Sequence, residues 1–234
     1  MKLLLFDIDG TLIRSSGAGR AALGAALTAL FGSAGPIADY HMSGKTDARI
    51  IADLLTAIGV PPAEIEARLP EVCAAMAEHA GRIFPEHTIT ACPGVAPLLD
   101  RLAARDDVLL GLLTGNASRT APLKLAAAAI DPALFRCGAY GCDHADRNQL
   151  PAIAMQRAAQ LAARPFTGAD TVIIGDTPAD IVCAHAGQAT AVAVASGWHA
   201  SSTLAAYHPD HLFENLADTD RVLAALLPPV ERKP

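Results

Sequence analysis

Leu3-Leu4-Leu5-Phe6-Asp7-Ile8-Asp9-Gly10-Thr11 decides how the rest of the chain is read. Four consecutive apolar residues stop at two aspartates separated by one residue, and a glycine then turns the chain. An unbroken apolar run suits a strand covered on both faces, as in a parallel sheet. In open α/β sheets ligands bind beyond the carboxyl ends of the strands, which is where Asp7 and Asp9 would fall. Two carboxylates this close repel unless one is protonated or a cation lies between them. An Asp-Gly turn after a strand is the simpler alternative, and the second aspartate tips the reading towards function.

The pattern recurs. Val108-Leu109-Leu110-Gly111-Leu112-Leu113 ends in Thr114-Gly115-Asn116, and Thr171-Val172-Ile173-Ile174 ends in Gly175-Asp176-Thr177-Pro178-Ala179-Asp180. Shorter strands are expected at 137–140, 191–195 and 211–213. Helical patterns lie between them, at Val95 to Leu102, from about Ala117 to Ala129, and over 151–163, 181–186 and 218–227. Strands alternating with helices imply right-handed crossovers and a Rossmann-like parallel α/β sheet with helices on both faces.

Residues 15–90 interrupt that rhythm. A flexible link, Ser15-Ser16-Gly17-Ala18-Gly19, precedes Leu23, Leu27 and Leu30 at helical spacing. Thr46 or Asp47 is placed to cap a helix carrying Ile50, Ile51, Leu54, Leu55 and Ile58. A third helix is expected from Ala63 to about Ile83. The segment reads as an inserted all-helical cap domain over the sheet's carboxyl edge. The α/β core domain is then residues 1–14 and 91–234.

Composition excludes several classes. The chain has 234 residues, 52% of them apolar, and a formal net charge of -6. No Lys/Arg cluster offers a nucleic-acid footprint. No apolar run approaches the roughly 20 residues of a membrane span, and the apolar stretch before Asp7 is shorter than a signal peptide needs. The five cysteines lack CxxC spacing, so reduced thiols are expected rather than a disulfide framework or a zinc finger. The expectation is a cytoplasmic protein, monomeric or homodimeric.

The chemistry is expected at three strand ends that share one edge. They carry Asp7 and Asp9, Thr114 and Asn116, and Asp176 and Asp180. A cluster of carboxylate oxygens suits Mg²⁺ with a phosphate. Gly10, Gly115 and Gly175 permit close backbone approach.

These segments carry a resemblance. Asp7-Ile8-Asp9-Gly10-Thr11-Leu12 resembles the first motif, DxDGT, of the haloacid dehalogenase (HAD) superfamily. Thr114-Gly115-Asn116 resembles the second, and Gly175-Asp176-Thr177-Pro178-Ala179-Asp180 the fourth, GDxxxD. The tail from Ala191 to Leu216 is similar to the phosphoglycolate-phosphatase-like branch. The resemblance implies that Asp7 is a nucleophile taking up a phosphoryl group and that Asp9 is a general acid and base. Thr114, Gly115 and Asn116 then bind phosphoryl oxygens. Asp7, Asp176 and the main-chain carbonyl of Asp9 hold Mg²⁺, with Asp180 a ligand or just behind one. The substrate implied is a small phosphorylated metabolite.

The third motif, a cation usually supplied by Lys, is not matched. Arg147, in Asp146-Arg147-Asn148-Gln149-Leu150-Pro151, and Lys124 are the two candidates, with Lys124 slightly favoured for phosphate contact. Gly44-Lys45-Thr46 resembles the end of a P-loop, but the required first glycine falls at Asp39 and no buried strand precedes it. In capped HAD members such a loop faces the active site, which makes Lys45 a candidate specificity residue. A phosphonate hydrolase using Lys45, a phosphomutase and a non-catalytic phosphometabolite-binding protein are the alternatives to a phosphatase.

Overall fold

The computed structural model describes residues 1–227. In chain order, β1 is Lys2–Phe6 and β2 Ile13–Arg14. Three helices follow, α1 (Ala18–Phe31), α2 (Asp47–Ala57) and α3 (Pro62–Ile83), and then β3 (Thr90–Ala91). The remainder alternates: α4 (Val95–Ala103), β4 (Val108–Leu113), α5 (Ala121–Ala127), β5 (Cys137–Ala139), α6 (Leu150–Ala162), β6 (Thr171–Gly175), α7 (Pro178–Ala186), β7 (Thr190–Val194), α8 (Ser201–Ala205), β8 (His211–Phe213) and α9 (Thr219–Leu226). No helix among the described residues is long and apolar enough to cross a membrane.

The main sheet is parallel throughout, in the order β5-β4-β1-β6-β7-β8. The continuous apolar runs are explained by burial on both sides. Leu4 and Phe6 face one core layer with Leu112, Ile174, α4 and α9. Leu3 and Leu5 face the other, with Leu109, Ile173, α6 and α7. The chain runs from β1 outwards to β4 and β5, then returns to β6 on the opposite side of β1. Strand order reverses there, the place where such sheets form a crevice for ligands. Register brings the three central strand ends level, because Phe6 pairs with Leu112 on one side and Ile174 on the other.

The helical insert has its own core of Leu23, Leu27, Ile51, Leu54, Leu55, Val72 and Met76 from α1, α2 and α3. Its two connections to the core lie side by side. Ile13 pairs with Ala91 and Arg14 with Thr90 in an antiparallel ladder. These strands have two residues each, too few to show periodicity, and the sequence reading placed Thr90 in an all-helical segment.

Two helix starts also differ from expectation. Gly17, in the left-handed region at φ 82°, precedes α1 directly, so Ala18 and Gly19 belong to the helix and not to a link. The helix after Thr114 begins at Ala121 instead of Ala117. Residues 117–120 form a turn, and Pro122 occupies the first turn of α5, where its missing N–H is not needed. The five-residue α8 was not anticipated.

Candidate active site

Asp7 directly follows β1 and is buried. Its Oδ1 lies 3.2 Å from Arg147 Nη2, and the nearby Thr114 hydroxyl favours its charged form. Burial raises its carboxyl to about 6, with the Asp180 and Asp9 charges adding to the rise and Arg147 and Thr114 opposing it. Asp9, two residues on, is treated in the opposite way. Its Oδ2 accepts from Lys124 Nζ at 2.6 Å and Asn116 Nδ2 at 2.8 Å, and its Oδ1 accepts from Ser15 Oγ at 2.7 Å. Its side chain is 38% exposed, but to a cleft roofed by the insert, so desolvation pushes it upwards. Lys124 and the hydrogen bonds from Ser15 and Asn116 prevail and hold it below the usual carboxylate range.

The two candidate cations are therefore both at the site, on different aspartates. Arg147 sits in a 3-10 turn, Arg147–Gln149, whose start is capped by Asp146. Its side chain is 7% exposed and bonds Asp180 Oδ1 at 2.5 Å as well as approaching Asp7. Its Nε is buried with no protein partner among the described residues. Lys124, from α5, bridges Asp9 and Asn116 Oδ1, the latter at 2.6 Å. Asn116 also donates to Thr114 Oγ1 at 2.9 Å, which ties the end of β4 into the same network.

Asp176 follows β6, and Thr11 donates to its Oδ1 at 3.2 Å. Burial lifts its carboxyl well above the ordinary value, with further upward pressure from Asp180 and Asp7. Asp180 caps α7. Thr177 accepts from the Asp180 N–H and donates its own N–H and hydroxyl back to Asp180 Oδ2, a reciprocal capping box. With its Oδ1 on Arg147, Asp180 is largely committed to holding the arginine.

Asp7, Asp176 and Asp180 each offer a carboxylate oxygen within 4.8 Å of the others. Among the described residues Arg147 is the one cation paired with this buried trio. Three oxygen donors with excess negative charge fit a hard divalent cation such as Mg²⁺. Gly10, at φ 87°, keeps the space beside them clear, since a Cβ there would lie 2.2 Å from Asp176 Oδ2. The Asp9 carboxylate is not part of the trio.

The insert docks against the second motif. The N–H of Asp47 donates to the Gly115 carbonyl at 2.7 Å, that of Ala48 to Gly141, and Asp47 Oδ2 accepts from the Ala117 N–H at 2.7 Å. Thr46 caps α2 and also donates to the Ala145 carbonyl. A Cβ on Gly115 would lie 2.1 Å from the Lys45 carbonyl oxygen, so only glycine permits this approach. Gly115 thus serves the seam between insert and core. Lys45 reaches the cleft but donates to Tyr40 Oη at 2.7 Å and lies 3.9 Å from Asp53, both within the insert. Cys142 contacts Cys73 and Ser118 and forms no metal grouping with Cys137 or His144.

Ser15, Thr11 and Asp47 were not singled out for these contacts. No local signal marks them, because each meets its partner only after the chain folds back on itself.

A family model described as haloacid dehalogenase-like hydrolase matches residues 1–187. The chain belongs to this family. No curated protein matches this HAD-like hydrolase. Among solved structures it is similar to a hydrolase from Pseudomonas syringae, at 22% identity and TM-score 0.70, with 96% of this chain and 99% of that one covered. It is also similar to CbbY from Rhodobacter sphaeroides in complex with phosphate, at 19% identity and TM-score 0.67, covering 93% and 96%. A third, described as a predicted phosphoglycolate phosphatase from Haemophilus somnus, gives 20% identity and TM-score 0.65, covering 95% and 97%. At these identities the likeness establishes the fold. What this HAD-like hydrolase acts on must be argued from its own residues.

Proposed function

We propose that this HAD-like hydrolase is a Mg²⁺-dependent phosphatase of a small phosphorylated metabolite. In this reading residues 15–90 are the cap, and residues 1–14 and 91–234 are the catalytic core. The observation that carries it is the opposite treatment of two aspartates one residue apart. Asp7 faces Arg147, Thr114 and the carboxyls of Asp176 and Asp180, whereas Asp9 is turned to Lys124, Asn116 and Ser15. A pair serving only as metal ligands would have no need of such separation.

Asp7 and Asp176 would hold Mg²⁺ with the main-chain carbonyl of Asp9, backed by Asp180. When bound, the ion would offset the repulsion between carboxylate and phosphoryl oxygens. The Asp7 carboxylate attacks phosphorus, the bond to the leaving oxygen breaks, and Asp9 gives that oxygen its proton. Water then attacks the aspartyl phosphate, Asp9 takes the water's proton, and Asp7 is released with inorganic phosphate. Thr114, Asn116, the Gly115 backbone, Lys124 and Arg147 surround the place of the phosphoryl group. A phosphoryl oxygen arriving there competes with Asp9 for Lys124, which frees Asp9 to carry a proton.

The test is phosphate release from an aryl phosphate. Asp7→Asn is expected to abolish it, by about 10⁴-fold or more for loss of a nucleophile, and chelation should do the same reversibly. Unimpaired turnover in either case overturns the reading. Inorganic phosphate as product, without an isomerised sugar phosphate or an aldehyde, separates the phosphatase from a phosphomutase and a phosphonate hydrolase.

A further inference from the structure

The cleft over Asp7 and Asp9 is a cavity of about 860 Å³, within the roughly 300–1,000 Å³ that encloses a drug-sized ligand. Its floor is charged, but its far wall is apolar. Leu23 of α1, Ile50 of α2, Met76 of α3 and Phe84 all line it. Apart from the exposed Ser16 and His41, the polar side chains on the insert's side are already engaged with protein. Arg20 donates to the carbonyls of Ile37 and Tyr40, Lys45 to Tyr40, and Asp47 accepts from Ala117. Ser15 is taken by Asp9, and Arg14 by the Ser196 carbonyl. A leaving group rich in hydroxyls or carrying a second anion would have to break these pairs to be bound, because buried polar groups need partners.

The rim adds a second apolar feature. Trp198, the only tryptophan in the chain, is 93% exposed and borders the same cavity. It stands on a fixed loop. Ser196 Oγ donates to the Gly10 carbonyl at 2.7 Å, and the neighbouring His199 lies 3.3 Å from Ser43 Oγ of the insert. The indole thus stands at the cavity rim, almost wholly free of contact with the described residues.

We infer that the substrate is a phosphomonoester whose leaving group is predominantly apolar, an alkyl or aryl moiety seated against Leu23, Ile50, Met76 and Phe84 and covered at its outer end by Trp198. The inference rests on the phosphatase reading for the fate of the phosphate. The cavity's own preference stands apart from turnover. One enclosed space joins the phosphoryl floor to the apolar wall, so whatever leaves from phosphorus has that wall to lie on.

The experiment uses the full chain with Mg²⁺ and n-alkyl monophosphates from ethyl to octyl, beside naphthyl phosphate, glucose 6-phosphate and 2-phosphoglycolate. Each buried methylene is expected to raise kcat/KM about fourfold until the cavity is filled, and naphthyl phosphate should exceed both polar substrates by more than tenfold. Met76→Gln should flatten the chain-length slope. Trp198→Ala, at an exposed position that folding does not depend on, should reduce the naphthyl advantage severalfold. In parallel, binding of n-alkylphosphonates is read from Trp198 fluorescence and by calorimetry. If no ester is turned over, the phosphatase reading falls, while an affinity that climbs with chain length still supports the apolar cavity. A flat series in both measurements, or a preference for the sugar phosphate or phosphoglycolate, overturns the inference.

Discussion

The floor and the far wall of the cleft are built on opposite principles. On the floor the cations are matched to carboxylates, Arg147 with Asp7 and Asp180 and Lys124 with Asp9, and Asp176 accepts from Thr11. Asp7 and Asp176 directly follow strands fixed in register, so the sheet sets their positions, while Lys124 is brought to them by α5 and Arg147 by its 3-10 turn. The wall is made of Leu, Ile, Met and Phe side chains on separate helices of the insert. Pairing of charges is directional and intolerant of displacement, whereas apolar contact scales with area and tolerates change of shape. Under the proposed reading, the difference teaches that this HAD-like hydrolase would separate how a bond is broken from which molecule is admitted.

The sharpest way to break the comparison is at Arg147. Arg147→Met leaves Asp7 and Asp180 buried together without their cation, and loss of one partner from a buried ion pair costs about 3–5 kcal/mol. The expected outcome is that loss in urea titrations, together with at least a hundredfold fall in turnover. Arg147→Lys should recover only part of either, because a point charge cannot reproduce the two-sided contact. Full rescue by lysine would show that charge alone matters on the floor.

A second test follows the pH dependence of the same carboxyls. The folded-state pKa of Asp7, about 6, lies above its ordinary value of 3.8. The folded state therefore binds more protons between those values, and the contribution of Asp7 to stability is full below about 4 and lost as pH rises through 6. In chelator, Asp7→Asn should gain on the native chain across this window, by up to about 3 kcal/mol. Added Mg²⁺ should stabilise the native chain more at pH 7 than at pH 4.5. Thermal melts across pH, with and without Mg²⁺, check both.

The seam between the two regions gives a smaller effect. In Gly115→Ala the new methyl meets the Lys45 carbonyl, so the insert must shift away from the second motif. The expected outcome is a several-fold higher KM and faster proteolytic cleavage within residues 15–90, with the core's melting temperature little changed. The smallest effect is expected on the insert itself. Lys45→Ala removes a side chain that is 39% exposed and already bonded to Tyr40 and placed near Asp53. Steady-state kinetics should move by less than threefold. A larger loss confined to one substrate would give Lys45 a place in selecting it.

The same contrast explains what the sequence made legible. Leu3–Phe6, Val108–Leu113 and Thr171–Ile174 announce themselves because burial on both faces demands unbroken apolar runs, and the carboxylates after them stand out against that background. The short ladder of Ile13–Arg14 with Thr90–Ala91, and the five residues of α8, carry no period to detect. Lys124 and Arg147 looked like rivals because sequence order does not say which aspartate each will face. The wall was invisible for a different reason: Leu23, Ile50 and Met76 read as ordinary core residues of amphipathic helices. Which core residues also border a void is a property of the closed assembly.

The ladder at Ile13–Ala91 and Arg14–Thr90 has one further consequence. The chain leaves the core and comes back to it at neighbouring points, so the three intervening helices form a detour with adjoining ends. A tight hairpin turn of two to five residues is enough to close such a gap. Everything between those points can be lengthened, shortened or exchanged for another stretch of polypeptide without altering the order or register of a single strand. For a lineage of such proteins, a new diet need not mean a new engine.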